Sequence, residues 1–180
     1  GDPRCEDKYI EAANELVRLG ADAITSDCGF TVRYQKAIAA AVPVPVWTSS
    51  LLLLPSLLLH IPANKRIAVL TYDSRFLDHG ILSVLGIADR SRLLIEGLEG
   101  TELYDYMWAE KGQIKVAKAL SDTDDIIARI GKHHDVAAVL CECTFFVRVA
   151  GRIRASTGLP VYDASSNAAL LMAGSGVCLH

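Results

Sequence analysis

Apolar positions recur along this chain at two spacings, helical and strand-like, and the two alternate from one end to the other. Residues 6–19, EDKYIEAANELVRL, place Ile10, Ala13, Leu16 and Val17 on one face of a helix that Gly20 stops. ADAIT at 21–25 then reads as a short buried strand. Residues 31–42 return to helical spacing until Pro43 and Pro45 close them, and VPVWT at 44–48 is the next strand. A helix through the leucine run at 51–60 comes next. After the turn-like PANK, RIAVLTYD at 66–73 predicts a strand ending in polar residues, and 74–86 a helix with Ser74 at its N-cap. RLLIEGL at 92–98 is a less regular strand pattern. Residues 101–120 are mainly helical, and SDTDDIIARI at 121–130 carries a cap and helix of its own. VAAVLCEC at 136–143 predicts a strand, 145–157 a helix ended by Gly158, LPVYD at 159–163 a strand and 165–174 a last helix.

Two segments punctuate this alternation in the same way. ITSDCGF at 24–30 and VLCECTFF at 139–146 each run from an apolar strand into an acid, a cysteine, one further residue and a phenylalanine. An offset of 115 positions lays Asp27-Cys28-Gly29-Phe30 on Glu142-Cys143-Thr144-Phe145, and Pro45-Val46-Trp47 on Pro160-Val161-Tyr162. Helix, strand, cysteine, helix and Pro-Val-aromatic strand therefore occur twice. The expected fold class is α/β: two pseudo-symmetric lobes, each a parallel sheet flanked by helices, with the site in the cleft between them. The first lobe is expected to take residues 1–62, with 163–180 returning to it, and the second 63–162, the break falling at the Pro-containing HIPANK. Both thiols stand at the carboxyl end of a strand just before a helix, where open α/β sheets place their ligands. The competing account is coincidence, since any α/β chain offers many strand-helix-strand spacings.

Composition narrows the partners. Hydrophobic residues make up 51% of the 180 and charged residues 22%, which is the balance of a globular chain. A formal net charge of −3 gives no electrostatic footprint for nucleic acid or an anionic membrane surface. The leucine run is interrupted by Pro55 and Ser56 and falls short of the roughly 20 residues that a bilayer span needs. Five cysteines, at 5, 28, 141, 143 and 178, are odd in number and irregular in spacing, which argues against a disulfide framework and for a reducing compartment. With no signal-peptide pattern, a cytoplasmic location is expected.

A thiol at a helix N-terminus sits at the positive end of the macrodipole, which favours thiolate and makes it available as a base. Two lobes closing on one pocket would bring Cys28 and Cys143 to opposite sides of a carbon, able to take a proton from one face and return one to the other. That event needs no metal or organic cofactor. The bland alternative is that a free cysteine is a small buried hydrophobe. The strand ends DCGF and ECT, with PVWTSSLL, RIAVLTYD and GLPVYD, resemble the aspartate/glutamate racemase superfamily, in particular a branch related to hydantoin and amino-acid racemases. The resemblance covers essentially the whole chain. It implies cofactor-independent, two-base isomerase chemistry on a small carboxylate or carbonyl compound, a homo-oligomeric state, and Cys28 and Cys143 as the catalytic thiols. Cys143 is preferred to Cys141 because the superfamily places a threonine directly after the second thiol, as Thr144 stands here, and because the internal repeat selects the same residue.

The resemblance further implies that hydroxyls and backbone amides hold the substrate carboxylate, from Gly29, Phe30, Thr71, Tyr72 and Thr144. Thr48 and Ser49 belong to this set or else cap the leucine-rich helix, and Gln35 is as compatible with the surface as with the site. Asp27 and Glu142 are expected to point away from the thiols on regular strands. Two departures stand out. The amino-acid racemases commonly carry a histidine two residues after the second cysteine, where this chain has Phe145. The family also begins with further βα units, so at about 30 residues per unit roughly 60 are expected to precede this chain. The alternatives are a single-thiol decarboxylase or maleate-isomerase-like enzyme of the same fold, or a non-catalytic small-molecule binding protein. His133-His134 with Cys141 and Cys143 lacks the paired spacing of a zinc site, and no glycine loop for phosphate appears.

Overall fold

Among the described residues six segments pair, all in parallel, to make two sheets of unequal size. The computed structural model describes residues 2–108 and 116–175. The smaller sheet pairs β1 (Ile24–Thr25) with β2 (Val46–Trp47), and the larger has the order β4-β3-β5-β6, from Leu93–Glu96, Arg66–Leu70, Val136–Cys141 and Val161–Tyr162. The neighbouring strands are joined through helices, as parallel pairing demands. Those helices are α1 (Glu6–Arg18), α2 (Gln35–Ala41), α3 (Leu54–His60), α4 (His79–Val84), α5 (Glu102–Trp108), α6 (Val116–Gly131), α7 (Ala150–Thr157) and α8 (Ala164–Ser175). Among the described residues no helix is long and apolar enough to cross a membrane.

The 115-residue repeat is exact in backbone pairing. Ile24 lies opposite Val46 and Thr25 opposite Trp47, while Val139 lies opposite Val161 and Leu140 opposite Tyr162. The Ile24 amide donates to the Pro45 carbonyl at 2.9 Å, and that of Val139 to Pro160 at 2.9 Å. After each cysteine the chain turns into a 3-10 segment, Gly29–Tyr34 or Thr144–Arg148, before the α-helix proper begins. The helix expected over 31–42 is therefore tighter at its start than its spacing suggests. Side chains alternate across the large sheet as a strand requires. Ala68, Leu70, Val139 and Cys141 face a core closed by Leu103, Ile126, Ile130 and Ile153. Ile67, Val69 and Leu140 face the other, built from Leu51, Leu54, Leu57, Ile81 and Leu82, together with Val32 from the first cysteine turn. The leucine run thus packs on the large sheet, and it carries the first cysteine turn with it. A third, smaller core joins Ala13, Ile24, Tyr34 and Ile38. Helix α8 packs against the turns Ser50–Leu53 and Thr144–Arg148.

Three local expectations are corrected. Asp73, not Ser74, caps the turn after β3, accepting from the Arg75 amide at 3.0 Å, and Asp78 caps α4 from the Ile81 amide at 3.0 Å. Leu77 lies between them outside helical geometry and divides the expected single helix. Ser121 is exposed and interior to α6, which continues on both sides of it. The part of the 101–120 helix at 109–115, like Cys178, lies outside the described residues.

Candidate functional site

The turns that leave the carboxyl ends of three strands, β1 of the small sheet and β3 and β5 of the large one, enclose a cavity of about 220 Å³. Its lining is Asp27, Cys28, Gly29 and Phe30 after β1, Tyr72 after β3, and Glu142, Cys143 and Thr144 after β5. Cys28 is exposed and Cys143 half-buried. Each has extended backbone geometry and turns its following segment back sharply, so that the carbonyl of Cys28 accepts from the Thr31 amide at 3.0 Å and that of Cys143 from the Phe146 amide at 3.1 Å. The same folding directs the Phe30 amide at the Cys28 sulfur and the Phe145 amide at the Cys143 sulfur. Across the cleft, the Thr144 hydroxyl donates to Asp27 Oδ1 at 3.0 Å.

Burial dominates the electrostatics. Although Cys28 is exposed as a residue, the part of it turned into the cavity is covered enough that desolvation raises its thiol above its ordinary value, against the pull of the Phe30 amide and helped by the charges of Glu142 and Asp27. Cys143 is pushed up to about 12, again chiefly by burial and then by Glu142, Cys28 and Asp27, with the Phe145 amide opposing. The expectation that a helix start would favour thiolate is therefore reversed. One or two amides of a 3-10 turn do not offset burial beside two acids. Glu142 is 2% exposed, and burial pushes its carboxyl up to about 7 although the Thr71 hydroxyl donates to Oε2 at 2.7 Å and the Tyr72 amide also donates to it. Its Oε1 lies 2.3 Å from where a Cβ on Gly29 would stand, so only glycine allows the two lobes this approach.

Of the residues singled out in the sequence, Cys28, Gly29, Phe30, Tyr72, Cys143 and Thr144 are brought together around this cavity. Thr71, Thr48 and Ser49 do not line it. Thr71 stands behind Glu142 and holds it. Thr48 is buried and gives its amide and hydroxyl to Gln35 Oε1 at 2.9 and 2.7 Å, while Gln35 Nε2 donates to the Val46 carbonyl at 2.9 Å. Ser49 accepts from the Leu51 amide at 3.1 Å and caps the turn before α3. Cys141 is packed in the core, away from the cavity lining. Asp27 and Glu142 are the lining residues that strand alternation excludes. Alternation does turn Glu142 to the face opposite Cys143, but that face is the one on which the first cysteine turn packs, so the carboxyl meets Gly29 instead of solvent. The signal was present in the repeat, which aligns one acid with the other. Among the described residues no group of three or more His, Cys, Asp or Glu side chains is placed to hold a metal ion.

No family model matches the sequence. Among curated proteins, the chain is 32% identical over 191 residues to a dimethylsulfoniopropionate lyase of Durusdinium sp. clade D, covering 96% of this chain and 59% of the relative. It is 31% identical over 180 residues to dimethylsulfoniopropionate lyase 5 of Emiliania huxleyi (strain CCMP1516), covering 92% of this chain and 36% of the relative. The chain thus spans between about a third and three fifths of the length of these relatives. Among solved structures, allantoin racemase from Klebsiella pneumoniae superposes with a TM-score of 0.64 at 14% identity, covering 97% of this chain and 69% of that one. Unliganded arylmalonate decarboxylase superposes with a TM-score of 0.63 at 15% identity, covering 99% and 79%. Glutamate racemase from Bacillus anthracis gives 0.60 at 12% identity, covering 97% and 68%.

Proposed function

We propose, for a chain that has the fold of the aspartate/glutamate racemase superfamily, that the cavity between the cysteine turns removes a proton from the carbon next to a substrate carboxylate, and that this loss drives elimination of a β-leaving group. The observation that carries the reading is the convergence of Cys28 and Cys143, from matched strand ends, on one small cavity. The relatives named as lyases supply the substrate, dimethylsulfoniopropionate. In that molecule the carbon α to the carboxylate bears the acidic proton and the β-carbon bears a dimethylsulfonio group. A cysteine thiolate takes the α-proton, the C–H electron pair becomes the Cα–Cβ double bond, and the C–S bond breaks with its electrons leaving on sulfur. Neutral dimethyl sulfide and acrylate result, and the thiol returns its proton to solvent. In this reading the backbone amide of Thr144, at the start of the second cysteine turn, receives the carboxylate, whose negative charge grows as the α-proton leaves.

Racemisation is the second reading, and the presence of two thiols favours it, because inversion needs a base on each face of the carbon whereas elimination needs one. One experiment separates them. The chain is incubated in D2O with dimethylsulfoniopropionate, and separately with amino acids and hydantoins, while acrylate, dimethyl sulfide and Cα deuteration are followed by NMR and headspace analysis. Elimination predicts acrylate release that is lost in the Cys28→Ser/Cys143→Ser double variant, kept in Cys141→Ser, and kept in part by whichever single variant retains the thiol facing the reacting C–H. Racemisation predicts that each single variant loses inversion while exchanging deuterium into one enantiomer only. Acrylate release unchanged in the double variant, or no turnover of any of these substrates, would defeat the thiol chemistry.

A further inference from the structure

Resting on the same reading of the cavity, we infer that Glu142, with the rings of Phe30 and Tyr72 beside it, forms a subsite for a methylated onium group, and that this subsite selects substrates carrying a permanent positive charge. The cavity lining holds two carboxylates and two aromatic rings, and among the described residues no Lys, Arg or His is part of it. Glu142 is 2% exposed, fixed on one side by the Thr71 hydroxyl and the Tyr72 amide, with its other oxygen against Gly29. A carboxyl so buried is costly to ionise without a cation near it, and the titration value raised to about 7 expresses that cost. A bound cation supplies what the protein leaves out. The titratable groups facing it are Cys28 and Asp27 from the first cysteine turn, Cys143 from its own strand end and the Tyr72 phenol; none of them offers a positive charge at neutral pH.

Tyr104 stacks on one face of the Tyr72 ring at 4.8 Å, so the cation is assigned to the opposite face and to Phe30, and these decide which cation fits. A sulfonium or quaternary ammonium carries methyl groups and no N–H, so it meets Phe30 and Tyr72 through cation–π attraction without losing hydrogen bonds. A primary ammonium gives up hydrogen bonds to water on entering, and Glu142 already accepts from the Thr71 hydroxyl and the Tyr72 amide. The cavity, at about 220 Å³, lies below the roughly 300–1,000 Å³ of sites for drug-sized ligands, which suits a substrate of few heavy atoms. The onium also opposes the Glu142 and Asp27 charges that hold both thiols up, so a cationic substrate helps to ionise its own base.

Trimethylsulfonium, which has no carboxylate and cannot be eliminated in this way, is the probe. Calorimetric titration of the whole chain is expected to show binding about tenfold tighter at pH 8 than at pH 6, because a carboxyl titrating near 7 is about ten times more ionised there. Methylammonium and neutral dimethyl sulfoxide should bind at least tenfold more weakly at pH 8. Glu142→Gln should lose the preference and its pH dependence. Should that variant fail to fold, Tyr72→Leu against Tyr72→Phe decides the matter: the phenylalanine keeps the affinity and the leucine loses it several-fold. Equal binding of neutral and onium probes, a preference for methylammonium, or full affinity in Glu142→Gln or Tyr72→Leu would overturn the inference. Cleavage of dimethylsulfoniopropionate without onium binding removes this inference alone, and onium binding without turnover removes only the proposed function.

Discussion

Replacing Glu142 by glutamine tests the electrostatics of the cavity without any ligand. A carboxyl that titrates near 4.5 when unfolded and at about 7 when folded makes the folded state the stronger proton binder between those values. The stability it contributes is therefore complete below pH 4.5 and is lost as pH rises through 7, roughly 3 kcal/mol in all. Glutamine is isosteric, still accepts from the Thr71 hydroxyl and the Tyr72 amide, and does not ionise. The expected result is that Glu142→Gln differs little from wild type at pH 5 but gains on it steadily, by roughly 2–3 kcal/mol at pH 8. Groups that titrate alike in both proteins cancel in the comparison. Urea unfolding at pH 5, 6, 7 and 8, followed by circular dichroism, gives the difference directly. Parallel pH profiles for the two proteins would refute the reasoning, since they would mean that Glu142 is ionised at no cost or is not buried.

Packing gives two further expected outcomes. Gly29→Ala would set a Cβ 2.3 Å from Glu142 Oε1 and 2.6 Å from the Glu142 carbonyl oxygen, so it should lower stability by roughly 1–3 kcal/mol in urea unfolding and depress turnover by parting the cysteine turns. Gln35→Leu removes the acceptor for the Thr48 amide and hydroxyl and the donor to Val46. With Thr48 1% exposed, it should cost about 1–3 kcal/mol by the same measurement, while any cleavage that survives keeps its KM.

The six strands of the described residues were legible in the sequence because each is a short apolar run bounded by turn residues, and the repeat related the β1–β2 pair to the β5–β6 pair. Their lengths were not: β1, β2 and β6 each pair over two residues, where ADAIT, VPVWT and LPVYD suggested five. Edge strands end where a partner ends, and that is a tertiary property. The division of the site was only partly legible. Cysteines at strand ends announce themselves by chemistry, and so does the glycine beside one. Thr48, Ser49 and Thr71 look in sequence like hydroxyls for a ligand, but each satisfies a protein group, Gln35, the Leu51 amide and Glu142. Buried backbone and side-chain polar atoms claim nearby hydroxyls first. Glu142 was misplaced for a different reason: the strand rule gives the face on which a side chain lies, not what packs on that face.

The charges of the cavity bear on which of the two proposed reactions this pair of cysteines serves. A racemase must ionise one thiol and keep the other protonated, then exchange those roles for the opposite enantiomer, so it gains from matched surroundings. Here the surroundings differ, Cys28 being exposed and Cys143 half-buried with its thiol pushed up to about 12. Glu142, on the second turn, is 2% exposed, and Asp27, its counterpart on the first, is exposed. The backbone repeat is exact while the electrostatics are not. A one-way elimination needs only a single ionisable thiol, and it tolerates a second that stays protonated and donates to the growing charge on the substrate. An onium held by Glu142 would lower the thiol it faces most closely and leave the other in place as a proton donor. If the proposed elimination holds, the pseudo-symmetric scaffold supplies two thiols, and the unequal burial of their neighbouring acids would give them different work.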